Sequence, residues 1–211
     1  MQFVGRNSET HHTLKLKINI LGLFTTVMLI SNISCKSKRF DTQPPIPITL
    51  PHSFKTEKAE HFSIEAFQLR KEHKYAQAIE SYRQALKVEP DNPSLYFDLS
   101  ECYTSTDKLE EAILLLDTAI RLDNSYAGFY NNRGLIYWKL DKNSKAIEDY
   151  KKAISLDSTN WVFHSNIAMV YYSENKIPEA CRAFQMAKYL GLNMSGYKGK
   201  DNLEILSRIC H

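Results

Sequence analysis

Alanine recurs along this chain of 211 residues at a fixed interval of 34 residues. Two sets of alanines keep this interval, and they are Ala78, Ala112, Ala146 and Ala180, followed by Ala85, Ala119, Ala153 and Ala187. A fixed period of this length predicts an array of copied helical units, because each unit buries its apolar face only by stacking on its neighbour. We therefore expect stability and function to belong to the array. Arrays of this kind bind other molecules and seldom catalyse reactions.

The copies align without insertion or deletion as units of residues 59–92, 93–126, 127–160 and 161–194. Position 24 of the unit is large and apolar, and position 8 is small. The residues at these two positions are Tyr82, Leu116, Tyr150 and Phe184, and Ala66, Ser100, Gly134 and Ala168. Apolar residues also return every three or four positions, which predicts two amphipathic helices per unit that cross closely at the small residues.

The aligned pattern closely resembles the tetratricopeptide repeat over residues 59–194. The resemblance implies an all-α fold, a right-handed α-solenoid of four helix pairs. After the array, Leu203, Ile205, Leu206 and Ile209 give one apolar face. We therefore expect residues 195–211 to form a loop and a C-terminal capping helix.

Some positions depart from the repeat pattern. Glu65 and Arg133 occupy position 7, where leucine is usual, and Pro90 is the one helix-ending proline at position 32 among the four units. His164 replaces an aromatic residue at position 4, and we interpret it as a core or rim residue, because no second His, Asp or Cys stands at a metal-ligand spacing from it.

The first 34 residues have the pattern of an export signal. Basic residues precede an apolar run at 18–30, and small residues follow it, directly before Cys35. The run is shorter than the roughly 20 apolar residues of a membrane-spanning helix. A signal that ends in small residues before cysteine resembles that of bacterial lipoproteins, although Asn32 stands where leucine is usual. This resemblance implies cleavage before Cys35, acylation of Cys35 and a place in the bacterial envelope, as an outer-membrane or periplasm-facing lipoprotein. The alternative is an ordinary secretory signal followed by an incidental cysteine.

Residues 35–58 read as a tether between this signal and the array. They contain four prolines and no helical period, which favours an extended polyproline geometry. The net charge of +5 lies in residues 1–58, whereas residues 59–211 carry −2. Because the array is not basic, nucleic-acid binding is not expected.

No catalytic constellation stands out in the sequence. It has no glycine-rich phosphate loop, no His-Glu-x-x-His, no Gly-x-Ser-x-Gly and no Cys-x-x-Cys. We therefore expect a protein that is not an enzyme and that uses no cofactor, metal or small-molecule substrate.

The resemblance also implies a binding surface, because the first helix of each tetratricopeptide unit lines a groove that accepts a peptide. The groove residues predicted here are Phe97, Asn131, Asn132, Trp138, Asn166, Met169 and Tyr172. Trp and Tyr offer large and stiff contact areas, and an Asn amide can both donate to and accept from a bound backbone. The alternative is that Trp138 and Tyr172 pack against the neighbouring helix.

The residues at position 2 of the units argue against a second function found in this family, the binding of chaperone peptides. Chaperone-binding members hold an acidic C-terminal peptide with Lys and Arg at positions 2 and 6 of a middle repeat. Position 2 here holds Glu60, Ser94, Gly128 and Val162. We therefore expect a membrane-anchored adaptor for another protein or peptide. The alternatives are a permanent subunit of an envelope assembly for outer-membrane insertion, pilus assembly or uptake, and a regulator of peptidoglycan-processing enzymes.

The cysteines add one more expectation. Position 21 is isoleucine in the first three units and becomes Cys181 in the fourth. A capping helix that runs back antiparallel would bring Cys210 beside Cys181, which predicts a disulfide in an exported protein. We expect Cys102 to remain a buried thiol. The alternative for Cys181 and Cys210 is a pair of small, reduced core residues.

Overall fold

The computed structural model describes residues 53–194 and 202–210. All regular elements in these residues are α-helices, as the sequence predicts. In chain order they are α1 (Glu57–Lys71), α2 (Tyr75–Val88), α3 (Pro93–Ser105), α4 (Leu109–Leu122), α5 (Ala127–Lys139), α6 (Asn143–Leu156), α7 (Trp161–Ser173), α8 (Ile177–Tyr189) and α9 (Asn202–Ile209). The predicted export signal and the predicted acylation of Cys35 lie outside the described residues. Within those residues, no helix is long and apolar enough to cross a membrane.

The helices pack in consecutive pairs. The pairs α1/α2, α3/α4, α5/α6 and α7/α8 make the most extensive contacts, and each second helix then packs against the first helix of the next pair. This order, repeated four times, is that of an α-solenoid.

Each pair reverses at a residue with a left-handed backbone. His73, Asp107, Asp141 and Asn175, at position 15 of the four units, have φ between 58° and 60°. In the first unit, the backbone N–H of His73 donates to the carbonyl of Arg70, and that of Lys74 donates to the carbonyl of Leu69. Equivalent bonds close the other three turns, so each first helix ends in a Schellman motif. Asp, Asn and His tolerate this conformation better than most residues, which explains tight reversals without glycine.

The small residues at position 8 lie where the two helices of a pair cross. Ala66, Ser100 and Ala168 are almost fully buried. A Cβ atom added at Gly134 would lie 3.1 Å from the ring of Tyr150 and 3.3 Å from the carbonyl oxygen of Ala146. The aromatic ring on the second helix therefore fills the space that the small residue leaves, as the sequence predicts.

The two ends of the array are closed in different ways. At the C-terminal end, α9 packs on α7 and α8 and buries Leu203 and Leu206, as expected of a capping helix. At the N-terminal end, residues 53–56 precede α1, and the Thr56 side chain accepts from the backbone N–H of Ala59 as an N-cap.

Candidate functional site

The first helices α1, α3, α5 and α7 form what we call the first-helix face. A chain of polar side chains runs across it and joins all four helices. Arg70 donates to Glu101, and the amide of Asn132 donates to the same carboxylate over 3.5 Å. Asn131 then donates to Asn132 over 3.1 Å, and Asn166 donates to Asn131 over 2.8 Å. These five residues, the polar chain, bind each first helix to the next.

The inner asparagines of the polar chain are not at the surface. Asn131 is 0 % and Asn166 is 1 % exposed, so the prediction that they contact a bound peptide is corrected. A buried amide requires partners inside the protein, and the near-34-residue spacing places these two amides side by side. Their structural role is to join α5 to α7.

Phe97 is also a core residue, and its assignment to the groove is wrong. It is 0 % exposed. Its ring centroid lies 5.5 Å from that of Phe129, in the following unit, and 6.2 Å from that of Tyr126, the last residue of its own unit. The next unit therefore covers the position that the sequence assigned to the groove.

Trp138 and Met169 form the floor of the C-terminal half of the first-helix face. Both are largely buried, which matches the alternative that Trp138 packs against neighbouring helices. Asn132, Leu135 and Tyr172 are only half-buried. Of these three residues, Asn132 and Tyr172 belong to the predicted groove, and Leu135 lies on the same helix as Asn132.

Position 4 has a structural role that explains His164. The hydroxyl groups of Tyr96 and Tyr130 donate to the carbonyl oxygens of Pro90 and Asn124, six residues earlier. A ring nitrogen of His164 lies 3.1 Å from the carbonyl oxygen of Ser158, at the same spacing. His164 therefore takes the place of a tyrosine at the junction between units, in agreement with its interpretation as a rim residue.

Arg133 joins two units on a different side of the array. Its guanidinium donates to both carboxylate oxygens of Asp149, over 2.8 and 2.7 Å, and to Asp117 over 2.6 Å. The ring centroids of Tyr130 and Tyr137 lie 5.7 and 5.9 Å from it. Hydrogen bonding to Asp149 raises the pKa of Arg133, so its charge is permanent. The sequence signal was an arginine at a leucine position with an aspartate 16 residues later, and its meaning required the packing of α4, α5 and α6.

Glu89 is a second residue whose role the sequence did not reveal. Its buried carboxylate accepts from the backbone N–H groups of Lys55 and Thr56, each over 2.8 Å, and from the Thr56 hydroxyl and the Asn92 amide. Burial tends to raise its pKa, but the hydrogen bonds from Asn92, Thr56 and Lys55 outweigh burial, so the pKa of Glu89 lies below its ordinary value. Glu89 thus holds the residues that lead into α1.

The cysteines lie where the sequence placed them. Cys181 and Cys210 lie side by side, with their Cα atoms 5.1 Å apart, which is a normal spacing for a disulfide, and the bond itself stays a prediction. Cys102 is a buried free cysteine, and burial raises the pKa of its thiol to about 11, so it is not a reactive thiolate.

Among the described residues, no group of three or more His, Cys, Asp or Glu side chains could hold a metal ion. The expectation that the protein is not an enzyme stays a prediction.

These features define a helical-repeat protein whose units are joined by buried polar and ionic contacts. The repeat type follows from comparison with known proteins. Models of the tetratricopeptide repeat match residues 69–129 and 127–160, so the chain contains tetratricopeptide repeats. A comparison with curated protein sequences gives no significant match.

Solved structures of tetratricopeptide proteins share the fold. A crystal structure of MamA is 25 % identical, with a TM-score of 0.60, and the match covers 66 % of this chain and 81 % of MamA. The first repeat domain of Spaghetti (RPAP3), bound to an HSP90 peptide, is 24 % identical with a TM-score of 0.54, over 56 % of this chain and 94 % of that domain. YrrB is 18 % identical with a TM-score of 0.55, over 63 % of this chain and 69 % of YrrB.

Proposed function

We propose that this chain is a protein-binding adaptor that takes a peptide segment of its partner on the C-terminal half of the first-helix face. The observation that carries the proposal is the polar chain. Because the Arg70–Glu101 bond holds α1 to α3 and the Asn166–Asn131 bond holds α7 to α5, the face is preorganised, and binding loses little conformational entropy. Preorganised helical arrays with extended faces are typical protein-interaction modules.

The chemistry of the accessible residues supports a peptide ligand. Tyr172 offers an aromatic surface with a polar end, and Leu135 adds apolar area beside it. Asn132 lies at the edge of the polar chain, where its contact with Glu101 is long at 3.5 Å. A bound backbone can replace this weak bond at little cost. Spaghetti binds an HSP90 peptide and YrrB has an unusual peptide-binding site, and both proteins share this fold.

A photocrosslinking amino acid tests the location of this site. Placed at position 172, it should form adducts with a distinct partner protein in the cell. Leu114 is the matched control, since it is 66 % exposed on α4, a second helix, and is not part of the first-helix face. Adducts that form equally from both positions, or from position 114 alone, would contradict the proposal.

Substitution of Tyr172 measures the strength of the contact. Tyr172→Ala should weaken binding of the crosslinked partner by about 2 kcal/mol, the usual size of a hot-spot contribution. Trp138→Ala should instead lower thermal stability, because Trp138 is buried in the floor. Unchanged binding by Tyr172→Ala, measured by titration calorimetry, would exclude the C-terminal half of the first-helix face as the peptide-binding site.

We further propose that Cys35 carries the lipid that holds this adaptor at a bacterial envelope. The support is the sequence pattern of a basic start, a short apolar run and small residues directly before Cys35. Metabolic labelling with a fatty-acid analogue should mark the parent chain, and Cys35→Ser should lose both the label and membrane association. An unlabelled parent chain that still fractionates with membranes would refute lipidation and leave the adaptor proposal untouched.

A further inference from the structure

The N-terminal helix α1 exposes apolar residues at two positions that are more buried in the later units. Ile64 and Phe67, at positions 6 and 9 of the first unit, are 51 % and 42 % exposed. The equivalent positions of the fourth unit are Asn166 and Met169, and both are buried. In the later units these positions face the preceding first helix, as the bonds from Asn132 to Glu101 and from Asn166 to Asn131 demonstrate. Among the described residues no helix precedes α1, so its side of the stack is uncovered.

The exposed apolar pair belongs to a stripe with charged ends. Glu60, Ile64, Phe67 and Lys71 follow one another at spacings of four, three and four residues, so they share one face of α1. Glu60 and Lys71 are exposed, and within the described residues neither makes an ion pair. The ammonium group of Lys71 lies 5.0 Å from the centroid of the Phe67 ring, so the cation is at the apolar patch. We call these four residues the α1 stripe.

The α1 stripe is complementary to itself in the reversed direction. When two copies of α1 lie antiparallel, Glu60 of each copy faces Lys71 of the other, and Ile64 faces Phe67. Each contact then occurs twice about a two-fold axis, which is the geometry of an isologous dimer. We propose that the α1 stripe joins two copies of this chain through antiparallel α1 helices. The apolar pairs supply the driving force, and the charged ends determine the register and direction.

The proposed dimer is a weak one. A single pair of helices of 15 residues buries less area than a standard protein interface, so we expect a dissociation constant on the order of micromolar. The interface lies on α1, whereas the proposed peptide site lies on α5 and α7. The dimer and the peptide site are therefore independent proposals.

Sedimentation velocity of the full chain over a range of concentrations tests the dimer. The apparent mass should rise from one to two chain masses as the concentration increases. Phe67→Glu should weaken association by about tenfold or more, because it replaces the apolar contact and buries one unpaired carboxylate from each copy near the two-fold axis. Leu114→Glu is the matched control, since it makes the same change at an exposed residue of α4 and should leave association unchanged. Phe67 and Leu114 are exposed, so both substitutions should leave the helical content intact, which circular dichroism checks.

A charge exchange tests the antiparallel register. Glu60→Lys and Lys71→Glu should each weaken association by about three- to tenfold, because each places two like-charged pairs in the interface. The double variant restores opposite charges at both pairs and should return the dissociation constant to that of the parent chain. A parent chain that stays monomeric would overturn the proposal and indicate that an upstream segment or another protein covers the stripe. A dimer that survives Phe67→Glu, or a double variant that fails to recover, would overturn it as well.

Discussion

The two ends of this array differ in how their terminal helices are covered. At the C-terminal end, α9 covers the last helix pair with buried leucines, and Cys210 at the end of α9 lies beside Cys181 of α8. At the N-terminal end, Glu89 holds residues 55 and 56 by hydrogen bonds, yet Ile64 and Phe67 stay exposed. A stacked array buries each unit only through its neighbours, so a terminal unit needs a substitute for the missing neighbour. Within the described residues, the C-terminal end is therefore covered, while the N-terminal end presents exposed apolar residues for a further contact.

The largest effect on stability is expected at the cysteine pair of the C-terminal end. If the pair is oxidised in the protein, Cys181→Ser with Cys210→Ser should lower the local free energy of opening by about 3 kcal/mol, since the bond closes a loop with a sequence separation of 29. Hydrogen exchange in α8 and α9 measures this loss. A reductant should reproduce it in the parent chain and have no effect on the double variant. Free thiols at both positions in non-reducing peptide mapping would contradict the bond.

The apolar cover of the C-terminal end should contribute somewhat less. Leu206→Ala removes a fully buried side chain from α9 and should cost about 2 kcal/mol, at the low end for such a change because a short helix can detach. Ile209→Ala is the matched control on the same helix, because Ile209 is 45 % exposed and its loss should cost less than about 0.5 kcal/mol. Equal losses in hydrogen-exchange protection for the two variants would mean that α9 does not cover the array.

The stability that the hydrogen bonds of Glu89 give to the N-terminal end should depend on pH. The pKa of Glu89 is lower in the folded protein than the value of 4.5 expected for the unfolded chain. The unfolded chain therefore binds the proton more readily, so the stability from Glu89 is complete above pH 4.5 and is lost as pH falls through the folded pKa. Asp91, whose pKa the Lys55 ammonium also lowers, adds to the loss in the same direction.

Glu89→Gln isolates this contribution. It should lower stability at neutral pH by about 1 to 2 kcal/mol, since the bonds from the two backbone N–H groups weaken without the charge. Its stability should fall less than that of the parent chain below pH 4.5. Urea unfolding followed at several pH values measures both effects. Identical pH profiles for the variant and the parent chain would show that Glu89 does not hold the N-terminal end.

The smallest effect on stability is expected at the α1 stripe. Ile64→Ser should change the free energy of unfolding of the dilute monomer by less than about 0.5 kcal/mol, because Ile64 is 51 % exposed. Asn166→Ala, at the same position of the fourth unit, should cost about 1 to 2 kcal/mol, because it leaves the buried Asn131 carbonyl without its donor. A large loss for Ile64→Ser in chemical unfolding would show that the first unit is already covered.

The predictions from sequence were most accurate for features that the period alone controls. The helix pairs, the small residues at position 8 and the capping helix all follow from the spacing of apolar and small side chains. The spacing of Cys181 and Cys210 along their helices was likewise enough to bring them together. The groove was less predictable, because position 5 is buried in all four units and position 6 is buried in the second and fourth. Phe97, Asn131 and Asn166 lie at these buried positions.

Local sequence therefore determined which residues form helices and which positions lie at a helix crossing, since these depend on side-chain size and on a period of 3.6 residues. The tertiary structure decided what each exposed or polar side chain meets. Arg133 reaches carboxylates in two units, Glu89 captures the chain that enters α1, and Ile64 lies open because nothing in the described chain stacks on it. These outcomes depend on residues that are distant in sequence. Only the stacking of whole units brings those residues into contact.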